Sequence, residues 1–126
     1  MFRAKNVPAS ITLAATLLAA CSANGNPTPT LSVLEQQGQA VFMLRCAQCH
    51  ATVPNTVVIG PPLAGIAARA ESRVPELDAA EYIENSILFP KDYLVEGFTD
   101  TMPTNFGREL TSEELESVVA YLLTLK

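Results

Sequence analysis

Residues 44–50 read LRCAQCH, and this stretch holds two of the chain's three cysteines beside its only histidine. Cys46, Cys49 and His50 form the pattern C-x-x-C-H, which has four readings: a haem attachment site, a redox-active dithiol, half of a zinc site, or chance. The cysteine inventory separates them. A disulfide between residues three apart closes too small a loop to stabilise much. A structural zinc needs four ligands, and soft nitrogen and sulfur donors run out after these three residues. A thioredoxin-type dithiol sits at the start of a helix on a βαβ frame. Here the pair ends a helical pattern, and no alternating strand pattern of any length is present. The haem reading uses every atom: two thioether bonds from cysteines one helical turn apart, and the adjacent imidazole reaching the iron.

The start of the chain supports that chemistry, because c-type haem is attached outside the cytoplasm. Met1 to Ala20 carries Arg3 and Lys5, then the apolar run ITLAATLLAA, then small residues. That is the pattern of a secretory signal, and the apolar run is short for a membrane span; an uncleaved anchor helix is the alternative. Residues 1–20 are therefore assigned as a signal peptide and residues 21–31 as a tether, since SANGNPTPT after Cys21 is polar and Pro-spaced. Residues 32–126 are the folded domain. Eight Lys and Arg less Arg3 and Lys5 leave six against thirteen Asp and Glu, about −7 for the processed chain. An acidic balance of this size excludes a nucleic-acid footprint. A core of roughly a hundred residues also needs reinforcement from a metal, cofactor or disulfide.

Within the domain, LSVLEQQGQAVFMLRC places Leu34, Gly38, Val41 and Phe42 on one helical face. The next segment, ATVPNTVVIGPPLAG, has three prolines and two glycines in fifteen residues and reads as a loop. A short helix follows at Pro62–Ala70. A second clear one is DAAEYIENSIL, with Asp78 as N-cap, Glu81 at the third helical position and Pro90 as its stop. Residues 90–110 read as irregular. The last helix opens with Thr111 and Glu114 as a capping box and carries Leu115, Val118, Val119 and Leu122 on one face. The expectation is an all-α domain with two long loops, which a compact fold tolerates only for a reason. A large enclosed cofactor supplies one.

An iron held by His50 needs a sixth ligand or an open site. No second histidine exists, and Met1 leaves with the signal. Met43 lies on the helix just before the motif and cannot fold back over the haem. That leaves Met102 in DTMPTNF, with Pro103 stiffening its loop; a plastic core-filling Met102 and a five-coordinate iron are the alternatives. Thr101, Tyr93 and Asn105 lie near this loop, either to bond the haem propionates and the Met sulfur or only to satisfy loop backbone.

These features together resemble the class I monohaem cytochromes c over nearly all of residues 34–126. Gly38 and Phe42 match the glycine and aromatic with which the family's first helix crosses its last, Tyr121 being the partner. Gly60-Pro61-Pro62-Leu63 is similar to the family's G-P-x-L loop. The resemblance implies that the Pro61 carbonyl accepts a hydrogen bond from His50 Nδ1 and that Leu63 packs on the haem, with Pro62 a neighbouring candidate for the carbonyl. It also implies a small cytochrome c fold of three to five helices around one covalent haem c and its iron. The stretch from Tyr82 to Pro103 is more loosely similar to cytochrome c domains of bacterial respiratory complexes. Leu18-Ala19-Ala20-Cys21 resembles the lipobox of bacterial lipoproteins, which would put a lipid on Cys21 and the domain at a membrane; release as a soluble chain is the alternative.

The implied function is single-electron transfer in a respiratory or photosynthetic chain, with redox proteins as partners and neither nucleic acid nor a small-molecule substrate. Other readings are a haem enzyme or gas sensor with a displaceable Met102, and a fixed subunit of a larger complex. The acidic charge, including Glu113, Glu114 and Glu116 at the start of the last helix, predicts a basic patch on any partner chosen by electrostatics.

Overall fold

Three capping boxes open the three long helices. The computed structural model describes residues 30–126; the signal segment, Cys21 and most of the tether lie outside the described residues. Helix α1 (Val33–Arg45) starts at Ser32, whose hydroxyl accepts from the Glu35 amide while the Glu35 carboxylate accepts from the Ser32 amide. Helix α3 (Ala79–Leu88) has the same reciprocal pair from Asp78 and Glu81. Helix α5 (Ser112–Leu122) has it from Thr111 and Glu114. Each box satisfies orphan amides of a first turn and places a carboxylate at the positive end of the helix dipole. The two hydrogen bonds to Ser32 hold the Glu35 carboxyl below its ordinary range. Ahead of α1, Leu31 is half-buried against the core and its carbonyl accepts from Gln36 Nε2 at 2.8 Å, so the folded part begins one residue inside the expected tether.

Two shorter helices complete the set: α2 (Ile66–Ala70), entered through a left-handed Gly65, and α4 (Phe106–Glu109). The first helical turns of the expected 62–70 segment are instead turn, because Pro61, Pro62 and the left-handed Gly65 hold the chain out of the helix until Ile66. Helix α4 lies inside the stretch expected to be irregular; at four residues it is too short to show a period. Among the described residues there is no strand, only an isolated antiparallel bridge between His50 and Val57. This is the all-α architecture expected.

The frame of the molecule is the crossing of α1 over α5, the most extensive helix–helix contact. Gly38 is buried at that crossing, and a Cβ there would collide with the Ser117 carbonyl and lie 2.8 Å from Tyr121 Cβ. Ser117 is itself buried, its hydroxyl turned back onto the Glu114 carbonyl at 2.9 Å, so neither helix keeps a bulky or unsatisfied group in the contact. One turn on, Phe42 and Tyr121 stack with ring centroids 5.6 Å apart and planes tilted by 51°. Val118, Val119 and Leu122 are buried, but Leu34 keeps 37% of its surface exposed, since α5 meets only the Gly38–Phe42 side of the stripe. Helix α3 brings Tyr82, Ile83 and Ile87 against α5. Helix α2 is tied to the C-terminal residues by the Ala67 amide, which donates to the Leu125 carbonyl at 3.2 Å.

Candidate functional site

The two long loops, 46–65 and 89–105, face each other across a cavity of about 460 Å³ floored by α3 and the end of α5. This lies inside the range of small-molecule and cofactor sites, about 300–1,000 Å³. Cys46, Cys49, His50, Pro61, Leu63 and Met102 all line it. So do Tyr93, Thr101 and Asn105, but the recorded bonds of the last two are local. The Thr101 hydroxyl donates to the Thr99 carbonyl at 3.5 Å, and Asn105 Nδ2 to the Glu109 carboxylate at 2.5 Å. Tyr93 packs edge-on against Tyr82, with centroids 5.6 Å apart. Met43 is 64% exposed on α1 and does not reach the cavity.

His50 is fixed from two sides. Its Nδ1 donates to the Pro61 carbonyl at 2.8 Å; a proline carbonyl can only accept, so Nδ1 carries the hydrogen and Nε2 keeps its lone pair. The Pro62 carbonyl is engaged elsewhere, accepting from Arg69 Nη2 at 2.9 Å, while Arg69 Nη1 donates to Ala64 at 2.5 Å. One half-buried guanidinium on α2 thus clamps the loop just beyond the carbonyl that orients the histidine. Arg69 was not legible as a site residue. A lone arginine in a short apolar helix gives no sign of reaching back five and seven residues to loop carbonyls. Gly60 supplies the space: a Cβ there would stand 2.9 Å from His50 Nδ1 and 3.0 Å from Nε2, with Cε1 closer still. The Gly60 and Ile59 amides both donate to the Cys49 carbonyl, at 2.9 and 3.2 Å, which pins this loop to the motif.

Cys46 and Cys49 are both free thiols, separated by one turn that the Cys49 and His50 amides close onto the Cys46 carbonyl at 3.0 Å. Burial pushes the Cys46 thiol up to about 11, with the neighbouring Cys49 adding to the shift and Arg45 opposing it. A disulfide-exchange centre needs the opposite, a thiol pulled down toward neutral pH. The raised Cys46 thiol is the reverse of an activated exchange thiol. Two thiols a turn apart, an oriented imidazole and a thioether, all on the walls of one largely apolar cavity, form a donor set that fits a haem c. Cys46 and Cys49 would bond its vinyl carbons, and His50 and Met102 both stand among the residues lining the same cavity.

The wall on the Met102 side is held differently. Residues 89–105 have only local backbone hydrogen bonds: Asp92 to Phe89, Phe98 to Val95 and Thr101 to Thr99. The ion pair between Lys91 and Asp100, 2.9 Å, closes the base of this loop. A second pair, Arg45 with Glu109 at 3.7 Å, bridges the end of α1 and α4 across the cavity rim. Among the described residues no other cluster of histidine, cysteine and carboxylate side chains could hold a metal.

No curated protein matches the chain. The family model for cytochrome c matches residues 35–126, which spans both cavity-lining loops and every helix of the fold. With a helical frame closed at Gly38 and a thiol–thiol–imidazole set in a cofactor-sized cavity, the chain belongs to the cytochrome c family and is a haem c protein.

Proposed function

We propose that the chain is an exported, lipid-anchored carrier of single electrons in a bacterial respiratory or photosynthetic chain, its iron held between His50 and Met102. The observation that carries the ligand reading is the meeting of His50 and Met102, far apart in sequence, on the walls of the cavity that also holds Cys46 and Cys49. When bound, haem supplies one-electron chemistry; the chain's own groups tune it. Met102 offers a soft, neutral thioether, which favours the reduced state. Ile66, Ile83, Ile87, Phe106 and Leu122 keep the cavity apolar and further disfavour an added positive charge. Both effects raise the potential. Pro61 keeps the imidazole in one tautomer and one orientation.

Members of the family are typically exported, and no described helix is long and apolar enough to cross a membrane. The anchor is instead assigned to Cys21, at the outer face of the cytoplasmic membrane or a periplasmic membrane face. Fully extended, the roughly ten tether residues reach about 35 Å, enough for the domain to swing above a bilayer and meet a redox partner. Neither nucleic acid nor a small-molecule substrate has a place in this reading.

The decisive experiment is spectroscopic. The oxidised protein is expected to show the weak near-infrared charge-transfer band of thioether–iron ligation, and the reduced protein to resist carbon monoxide. Met102→Ala should abolish the band, lower the potential and open the iron to carbon monoxide, while Cys46 and Cys49 keep the haem attached. Met43→Leu should change none of these. A band that survives Met102→Ala, or a wild type that already binds carbon monoxide, puts the sensor or enzyme reading first.

The anchor has its own check. Mass spectrometry of the mature N-terminus should find an acylated Cys21, and Cys21→Ser should prevent acylation without disturbing haem attachment. An unacylated wild-type chain overturns it.

A further inference from the structure

The two walls of the cavity are held by different means. On the His50 side the Gly60 and Ile59 amides reach back to Cys49, the Leu63 amide reaches Ala51, and Arg69 of α2 holds the Pro62 and Ala64 carbonyls. Between Pro90 and Pro103 nothing comparable exists: the backbone bonds there span three residues or fewer. The Lys91–Asp100 pair also joins two points of this same loop. Yet Met102, near the end of the stretch, packs against the buried cluster. Tyr93 is what ties the loop to the frame. Its ring meets that of Tyr82 edge-on, with centroids 5.6 Å apart and planes at 79°, and Tyr82 on α3 is only 5% exposed. The Arg73 guanidinium, from the turn between α2 and α3, stands over the Tyr93 ring with Cζ 5.9 Å from its centroid. Tyr93, Tyr82 and Ser86 line both the main cavity and a second hollow of about 160 Å³, so Tyr93 is part of the partition between them. All these contacts are made through the ring.

We infer that Tyr93 is the positioning residue for Met102: its ring, in contact with Arg73 and Tyr82, fastens an otherwise self-contained loop to α3 and the α2–α3 turn, and so sets how firmly the thioether stays at the iron. This rests on Met102 being the sixth ligand and adds what holds that ligand in place. A segment bonded only to itself opens as a unit once its outside contacts let go. An edge-on aromatic pair and a cation–π contact each shift such an equilibrium by about two- to tenfold. Acting together they hold the loop shut by about five- to a hundredfold. The Lys91–Asp100 pair adds less, because the Lys91 side chain is 63% exposed and ions in water gain little from pairing. The role belongs to the ring. That sets it apart from a tyrosine whose hydroxyl bonds the haem propionates or the methionine sulfur.

The test follows carbon monoxide binding to the reduced, haem-loaded protein, since carbon monoxide reaches the iron only after Met102 has left it. At high carbon monoxide concentration the rate levels off at the rate of that departure. Tyr93→Leu keeps apolar bulk but loses both ring contacts; it should raise the limiting rate about tenfold or more and weaken the near-infrared band of the oxidised protein. Tyr93→Phe keeps the ring and should stay within about threefold of wild type. Arg73→Gln should raise the rate about threefold in the wild-type background and no further in Tyr93→Leu, because both changes remove the same contact. Lys91→Gln, which removes only the exposed ion pair, should act less than Tyr93→Leu does. Amide hydrogen exchange reads the same motion without the iron. In Tyr93→Leu the amides of Asp92, Phe98 and Thr101 should exchange about tenfold faster, while those of α1 and α5 exchange as in wild type.

Equal limiting rates in Tyr93→Leu and wild type overturn the inference. So does a Tyr93→Phe that opens the iron as far as Tyr93→Leu, which would give the role to the hydroxyl. Faster exchange by the same factor in α1 and α5 also overturns it, since the ring would then brace the whole fold and not the ligand loop. Should Tyr93→Leu fail to fold, Arg73→Gln decides alone, and an unchanged limiting rate there is a refutation. A near-infrared band that survives Met102→Ala removes the ligand reading and this inference with it. A band lost in Met102→Ala but untouched in Tyr93→Leu removes this inference only.

Discussion

Gly38→Ala is expected to destabilise the protein by about 2–4 kcal/mol, from a total that in small domains is about 5–15 kcal/mol. Two effects oppose each other. Alanine inside a helix is worth about 1 kcal/mol over glycine. Against that, the new Cβ collides with the Ser117 carbonyl and stands 2.8 Å from Tyr121 Cβ. A backbone carbonyl in the middle of α5 cannot swing aside as a long side chain can, so the two helices must part. Parting them loosens the Phe42–Tyr121 stack and uncovers Val118, which is 1% exposed. The clash wins. Urea unfolding should show a lower midpoint at unchanged slope, and the melting temperature should fall by roughly 10–30 °C. Gly107→Ala is the comparison, since its Cβ would meet only Leu88 Cδ2 at an ordinary 3.5 Å. It should be neutral or slightly stabilising. If the two variants melt alike, the α1–α5 crossing does not depend on the missing side chain.

Gly60→Ala is expected to act on the iron's surroundings. Gly60 has an ordinary backbone conformation, so the substitution is opposed by space alone. The methyl group would occupy the His50 ring. The loop cannot withdraw without breaking the bonds of the Ile59 and Gly60 amides to Cys49, or that of Leu63 to Ala51 at 2.7 Å. The ring must therefore turn, giving up its 2.8 Å bond to Pro61 and its single orientation. The haem should stay attached through Cys46 and Cys49, but with a weakened proximal bond, a lower yield and carbon monoxide binding in the reduced state. The accompanying stability loss is about 1–3 kcal/mol. Retention of the wild-type spectrum and potential would mean that the loop has freedom these hydrogen bonds deny it.

Much of this was legible in the chain because it is written locally. Asp78 with Glu81 and Thr111 with Glu114 state where α3 and α5 begin, since a capping box is satisfied within four residues and needs nothing from the rest of the fold. Ser32 with Glu35 carries the same signal for α1, whereas the apolar spacing includes Leu34, which packing leaves 37% exposed. Cys46, Cys49 and His50 are adjacent, so attachment chemistry follows from spacing. Met102 followed by elimination, a statement about inventory and not about position.

Position is what only the tertiary structure decides. Whether the Pro61 or the Pro62 carbonyl meets His50 depends on Arg69 taking the other, and that guanidinium comes from a helix whose placement is set by the C-terminal residues. The collisions that make Gly38 and Gly60 irreplaceable are with Ser117 and with His50, distances no periodicity encodes. The valines after the haem motif fall in a stretch that reads as a loop, and composition alone does not say whether they are covered. They stand in water because the prolines and short bonds of their loop hold the backbone on the rim of the cavity. Local hydrogen-bond chemistry is readable from neighbouring residues, whereas burial is a property of the surfaces that distant segments bring together.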